Sequence, residues 1–210
     1  MTRKPDWMNP LGRPWAIRTA RTAYANPWIT VREYQATAPT GHAALYGVVS
    51  FRNLALAILP LHGDGTVTLV GQHRFPLADY SWEIPEGGGL IGEDPLVNAQ
   101  RELREETGLV AADWRQVLRF QTSNSITDEQ GYGFIALDLS QGKTDPDETE
   151  VIKIARVSFR EALDLGLSGA LLDMPTVAML LRAYHLAQEG LLPEGVAKAM
   201  LSPPADARGD

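Results

Sequence analysis

The chain has 210 residues, 44% hydrophobic and 21% charged, enough apolar material for a buried core and too much for wholesale disorder. Nineteen basic against 26 acidic residues leave a net charge of −7, a poor footprint for gripping a nucleic-acid backbone. With no cysteine there is no disulfide scaffold, thiolate metal site or thiol nucleophile. The length suggests one domain with an added subdomain.

In chain order, Met1-Thr-Arg-Lys-Pro-Asp6 is basic with no apolar stretch behind it, so no secretory signal is read. Trp15–Tyr24, Trp28–Tyr34 and Ala43–Phe51 read as strands, separated by turns at Asn26-Pro27 and Ala38–His42. Leu54–Leu61 reads as a buried strand, too short to span a bilayer, with Thr66–Gly71 as its expected hairpin partner. Residues 94–107 switch to a helical pattern, with Asp94 as cap, Pro95 in the first turn and Gly108 as stop. Further strands are expected at Arg115–Gln121, Tyr132–Leu139 and Ile152–Phe159. A final helix is expected from Asp173 to Gly190, then a flexible tail. The acidic run Asp145–Glu150 reads as a solvated loop, Trp28 as a packing residue, and the four histidines have no ligand spacing. This mixture argues for an α+β fold. The expected domains are a strand meander over 1–52, a catalytic domain over 53–192 and a tail over 193–210.

The chemistry is concentrated in the helix at 94–107 and the glycines before it. Leu96, Ala99 and Leu103 share an apolar face, while Glu102, Glu105 and Glu106 crowd an adjacent stripe. Like charges at this spacing repel, and a divalent cation between them would turn repulsion into attraction. Arg101–Glu105 pairing on a solvated helix is the alternative for an arbitrary helix of this composition. Here Gly87, Glu93, Arg101, Glu102, Leu103, Glu105, Glu106, Gly108 and Leu109 match G-x5-E-x7-R-E-U-x-E-E-x-G-U throughout, U being aliphatic. From average residue frequencies the chance of such a match is on the order of one in ten million.

This stretch resembles the signature of the Nudix hydrolases. The resemblance implies a mixed β-sheet sandwiched between helices, with an N-terminal antiparallel strand subdomain. It also implies hydrolysis of a nucleoside diphosphate linked to another group, with Mg²⁺ or alternatively Mn²⁺ as cofactor. Glu102 and Glu106 would be metal ligands, Glu105 a third ligand, a partner supporting the ligands or a catalytic group, and Glu86 a ligand through its backbone carbonyl. Gly87, Glu93, Arg101 and Gly108 would shape the motif. Relatives often carry Ala where this chain has Glu86. Leu69–Pro76, Trp82–Pro85 and Gly169–Thr176 look like the ADP-ribose pyrophosphatase branch.

In that branch Arg74 would contact the diphosphate, Glu83 would either stand beside the metal or orient Arg74, and Gly88 would join the substrate-binding residues. Glu129, ahead of Asp128, would serve as metal ligand or general base on a loop after the motif. Ser-Asn-Ser-Ile stands in that loop where relatives often carry Pro and Gly, which bears on substrate more than chemistry. Trp15 and Tyr46 fall where aromatics stack the adenine, in a subdomain through which relatives dimerise. The expected partners are therefore a nucleoside diphosphate sugar and a second copy of the chain, without nucleic acid or membrane, in the cytoplasm. Another substrate, such as GDP-mannose or a dinucleotide, is the nearest alternative, and a non-catalytic Nudix-like ligand sensor the more distant one.

Overall fold

The computed structural model describes residues 4–142 and 151–202, so Asp145–Glu150 and the last eight residues lie outside the described part. The chain forms two compact units. One joins the N-terminal residues through Arg52 to Ser123–Glu129; the other comprises Asn53–Thr122 and the chain from Gln130 onward.

The first unit is an antiparallel sheet of β1 (Ala16–Ala25), β2 (Ile29–Thr37) and β3 (Ala43–Phe51), with β2 central. The Asn26 carboxamide oxygen accepts the Trp28 and Ile29 amides at 2.9 and 2.8 Å, which closes the first turn. Gly41 makes the second turn at φ +90°, a conformation that favours glycine. Every residue of β1 is exposed, and Trp28 is 68% exposed rather than packed.

The second unit holds two sheets. Strands β4 (Asn53–Pro60), β7 (Glu86–Leu90), β8 (Leu109–Phe120) and β9 (Gly131–Gln141) form a mixed sheet ordered β7-β4-β9-β8. Its β4–β9 pair is parallel. Strands β5 (Thr66–Arg74), β6 (Asp79–Glu83) and β10 (Lys153–Ser158) form an antiparallel sheet ordered β10-β5-β6. The expected hairpin of β4 with β5 is therefore corrected: the two strands lie in different sheets, and the turn between them keeps an antiparallel Leu61–Val67 bridge and the His62 amide on the Thr66 carbonyl at 2.9 Å. The reason is two-sided burial. Leu56 and Ile58 of β4 join one apolar cluster, and Ala57 and Leu59 the other, so β4 sits between β7 and β9.

Among the described residues, four α-helices cover these sheets: α1 (Pro95–Thr107), α2 (Phe159–Ser168), α3 (Met174–Gln188) and α4 (Glu194–Leu201). Helix α1 buries Ala99 and Leu103 on one face of the mixed sheet. Residues of α2, α3 and α4 fill the other cluster together with β5. Two helices depart from expectation. α2 begins where a strand was expected to end, capped by the Ser158 hydroxyl on the Glu161 amide at 3.1 Å. α4 replaces the first part of the expected tail because Ala197 and Met200 are buried. Among the described residues, no helix is long and apolar enough to cross a membrane.

Candidate active site

Helix α1 is set by its ends. Asp94 Oδ1 accepts the Leu96 amide at 3.0 Å, Pro95 occupies the first turn, and Gly108 stops the helix at φ +71°. The Glu93 carboxylate accepts a bond from Asn98 Nδ2 at 3.0 Å, tying the preceding loop to the first turns. Strand β7 then runs alongside α1. Gly87 is required there by proximity: a Cβ at this position would stand 2.1 Å from Glu102 Cδ.

Two carboxylates from successive turns of α1 therefore reach adjacent residues of one strand. Glu102 lies against Gly87, and Glu106 Oε2 accepts the Glu86 amide at 3.1 Å. Arg101 holds the rest of the acidic stripe. It donates to Glu105 Oε2 and Glu102 Oε1, both at 2.6 Å, and to the Gly88 carbonyl at 3.0 Å. Burial opposes the charge on Arg101, but Glu102 and Glu105 outweigh it and raise the guanidinium pKa. The Arg101–Glu105 pair considered from sequence thus forms, and it belongs to the site's scaffold. Among the described residues, no three Asp, Glu or His side chains converge as a ready-made metal cage. The donor set still fits a hard divalent cation, because two carboxylates lie against adjacent residues of β7 and water completes such coordination.

A cleft of 610 Å³ lies in the same unit, lined by Arg74, Ser81, Glu83, Glu86 and Asp173, with Leu77 and Met174 among its apolar walls. Arg74 grips Glu83, directly at Oε1 and at 3.3 Å through Nε to Oε2, while Gln72 and Ser81 add further bonds to that carboxylate. Burial pushes Glu83 up, more than Arg74 pulls it down; Arg74 in turn is raised, its own burial being outweighed by Glu83, Glu86 and Glu106. Burial also lifts the Glu86 carboxyl well above the usual range, reinforced by Asp173 and Glu83. Asp173, read from sequence only as a helix cap, keeps that role through the Thr176 amide at 2.8 Å and adds a wall to the cleft. Its place in Gly169–Thr176, the segment resembling the ADP-ribose pyrophosphatase branch, was the available signal.

The expected site residues thus divide between the units. Arg74, Glu83 and the motif residues gather in the second unit. Trp15, Tyr46 and Glu129 belong to the first. Trp15 and Tyr46 meet edge to face, their centroids 5.4 Å apart at 68°. The Glu129 amide donates to Thr127 Oγ1 at 3.1 Å.

The family model of the NUDIX domain matches residues 51–173, more than half of the chain. The chain belongs to the Nudix family. It is 35% identical over 140 residues to an ADP-ribose pyrophosphatase of Bacillus subtilis (strain 168), covering 66% of this chain and 75% of that protein. It is 33% identical over 125 residues to a methanol dehydrogenase activator of Bacillus methanolicus, covering 59% and 68% respectively. Among solved structures, an ADP compounds hydrolase superposes with a TM-score of 0.78 at 20% identity, over 88% of this chain and all of that one. That likeness bears on the fold, which is the Nudix α+β fold expected from the motif.

Proposed function

We propose that this Nudix protein hydrolyses the pyrophosphate bond of ADP-ribose or a related nucleoside diphosphate sugar, releasing a nucleoside monophosphate and a sugar phosphate. The observation that carries this reading is the meeting of Glu102 and Glu106 on the Glu86–Gly87 backbone, in the unit whose cleft presents Arg74. The ADP-ribose pyrophosphatase relative supports the substrate class.

In this reading Glu102, Glu106 and the Glu86 carbonyl would hold Mg²⁺ or Mn²⁺, with Glu105 as a further ligand or catalytic group. Such a cation, when bound, screens the phosphoryl oxygens and acidifies water. The residues of the chain do the remainder. Arg74, oriented by Glu83, offers its guanidinium to the diphosphate. Glu129 takes the proton from the attacking water. Arg101 keeps the acidic stripe together through Glu102, Glu105 and the Gly88 carbonyl. The exposed β1 face supports dimerisation through the N-terminal sheet, and Trp15 with Tyr46 would meet the base there.

The test is a panel of nucleoside diphosphate sugars, dinucleotides and GDP-mannose, with Mg²⁺ or Mn²⁺, followed by monophosphate release. Turnover fastest on ADP-ribose is expected. Silence across the panel at micromolar enzyme would defeat the hydrolase reading, and preference for a dinucleotide would change the substrate alone.

A further inference from the structure

Strand β3 is a terminal strand of its sheet, with β2 on one side only. The segment 123–129 is bonded to it. Val49 N donates to the Ile126 carbonyl at 2.9 Å, and Val49 pairs with Thr127 as a parallel bridge. Backbone pairing of this kind is a common way to cover a sheet edge. Two side chains of β3 go further. The Tyr46 hydroxyl donates to the Ser125 carbonyl at 2.5 Å, and the Ser50 hydroxyl donates to Asp128 Oδ2 at 2.8 Å. The second of these ends on a carboxylate, which makes it the stronger type of bond.

The segment is also fastened to itself. The Ile126 and Thr127 amides both donate to the Ser123 carbonyl at 3.0 Å, and Glu129 N donates to the Thr127 hydroxyl. Three hydrogen bonds to β3, at Ser125, Ile126 and Asp128, lead up to Glu129. Of the two neighbouring acids, Asp128 is thereby engaged in holding the backbone from which Glu129 projects.

We infer that Tyr46 and Ser50 are positioning residues for Glu129, so that β3 sets the conformation of the segment presenting the general base. The inference rests on the role given to Glu129 under Proposed function. It assigns the Tyr46 hydroxyl and the Tyr46 ring different tasks, which Tyr46→Phe separates because it keeps the ring. Loss of one such bond is worth about threefold to tenfold in rate if its whole effect reaches the transition state.

The experiment measures kcat and KM on ADP-ribose for Tyr46→Phe, Ser50→Ala and Ser50→Thr, in the wild-type and Glu129→Gln backgrounds. Tyr46→Phe and Ser50→Ala should each lower kcat about threefold to tenfold, with KM changing less than about twofold. Ser50→Thr, which keeps a hydroxyl, should restore most of the rate. In the Glu129→Gln background the same changes should cost almost nothing, because residues acting through one group are non-additive. Equal losses in both backgrounds would show a merely structural role and overturn the inference, as would unchanged kcat.

A full rate for Glu129→Gln would overturn the base assignment and the inference with it. Amide exchange over 123–129, read without turnover, separates these failures from that of the hydrolase reading. The Tyr46→Phe/Ser50→Ala protein should exchange faster there. Unchanged exchange overturns the attachment itself, whatever the enzyme hydrolyses.

Discussion

Glu106 and Glu86 are bonded across the motif: the Glu106 carboxylate accepts the Glu86 amide at 3.1 Å, pinning the last turn of α1 to β7. The bond uses one carboxylate oxygen and places the side chain at the strand without consuming its charge. Glu106→Gln keeps an acceptor for the amide and removes the charge. Turnover should fall about a hundredfold or more while the melting temperature moves by less than about 2 °C. Chelation of the wild-type enzyme should abolish turnover, and Mg²⁺ or Mn²⁺ should restore it. Full activity in the presence of chelator would contradict the cation role.

Gly87→Ala places a Cβ where the Glu102 carboxyl now lies. The obstacle is the far end of a flexible side chain, so the fold can yield by moving it. The expected result is a protein close to wild type in urea unfolding, within about 1 kcal/mol, whose turnover collapses because Glu102 is displaced. Comparable losses of stability and activity would show that the glycine serves the fold alone.

Arg74→Ala leaves the Glu83 carboxylate, with only 3% of its side chain exposed, without its cation. Arg74 keeps 34% of its own side chain exposed, so solvent screens part of the attraction. A loss of about 1–3 kcal/mol is expected, below the range for fully buried pairs. Adding Glu83→Ala should recover part of that stability without recovering affinity, and a double-mutant cycle in urea measures both effects. An unchanged KM for the diphosphate substrate would remove Arg74 from binding.

Asp64 gives the protein an acid-side signature. The Thr66 hydroxyl, then Arg156, hold its carboxyl at about 2 against slight burial, below the ordinary 3.8. A folded-state value below the unfolded one stabilises above pH 3.8, and that contribution is lost as the pH falls towards 2. Asp64→Asn should therefore melt slightly lower at pH 5, by about 1–3 °C for so exposed a pair. The gap should close as acid is added; a gap that widened would have the wrong sign for this carboxylate.

Gly65→Ala tests the packing of α4. Gly65 has φ +80°, and a Cβ there would stand 2.4 Å from the Ala199 carbonyl carbon. Backbone cannot step aside as a carboxyl can. A loss of about 2 kcal/mol or more is expected in urea unfolding. Wild-type stability would mean that α4 leaves this position readily.

The parts legible in the sequence were those whose signals are local. Asp94, Pro95 and Gly108 bounded α1 correctly, and alternating strands with turn residues marked β1, β2 and β3. The spacing of the glutamates put Glu102 and Glu106 on one stripe of α1 through helical periodicity alone; their meeting with β7 comes from packing. What escaped depended on partners distant in sequence. β4 and β5 look like a hairpin until the two faces of β4 need separate neighbours. α4 looks like a tail until Ala197 and Met200 find a core. α2 had an unused local signal, the Ser158–Glu161 capping pattern. Asp173 was visible as a cap, but its position beside Glu86 comes from tertiary folding.

The first compact unit is built from two pieces of chain, one ending at Arg52 and one beginning at Ser123. Its three-strand meander can form from near neighbours, whereas its last piece lies beyond β4–β8 in the sequence. Closing so long a loop is slow compared with local pairing. Refolding should therefore proceed with the meander ahead and Ser123–Glu129 arriving late. On the role proposed for Glu129, the order of assembly would itself postpone catalytic competence, because the residue given the proton-accepting task belongs to the piece that joins last.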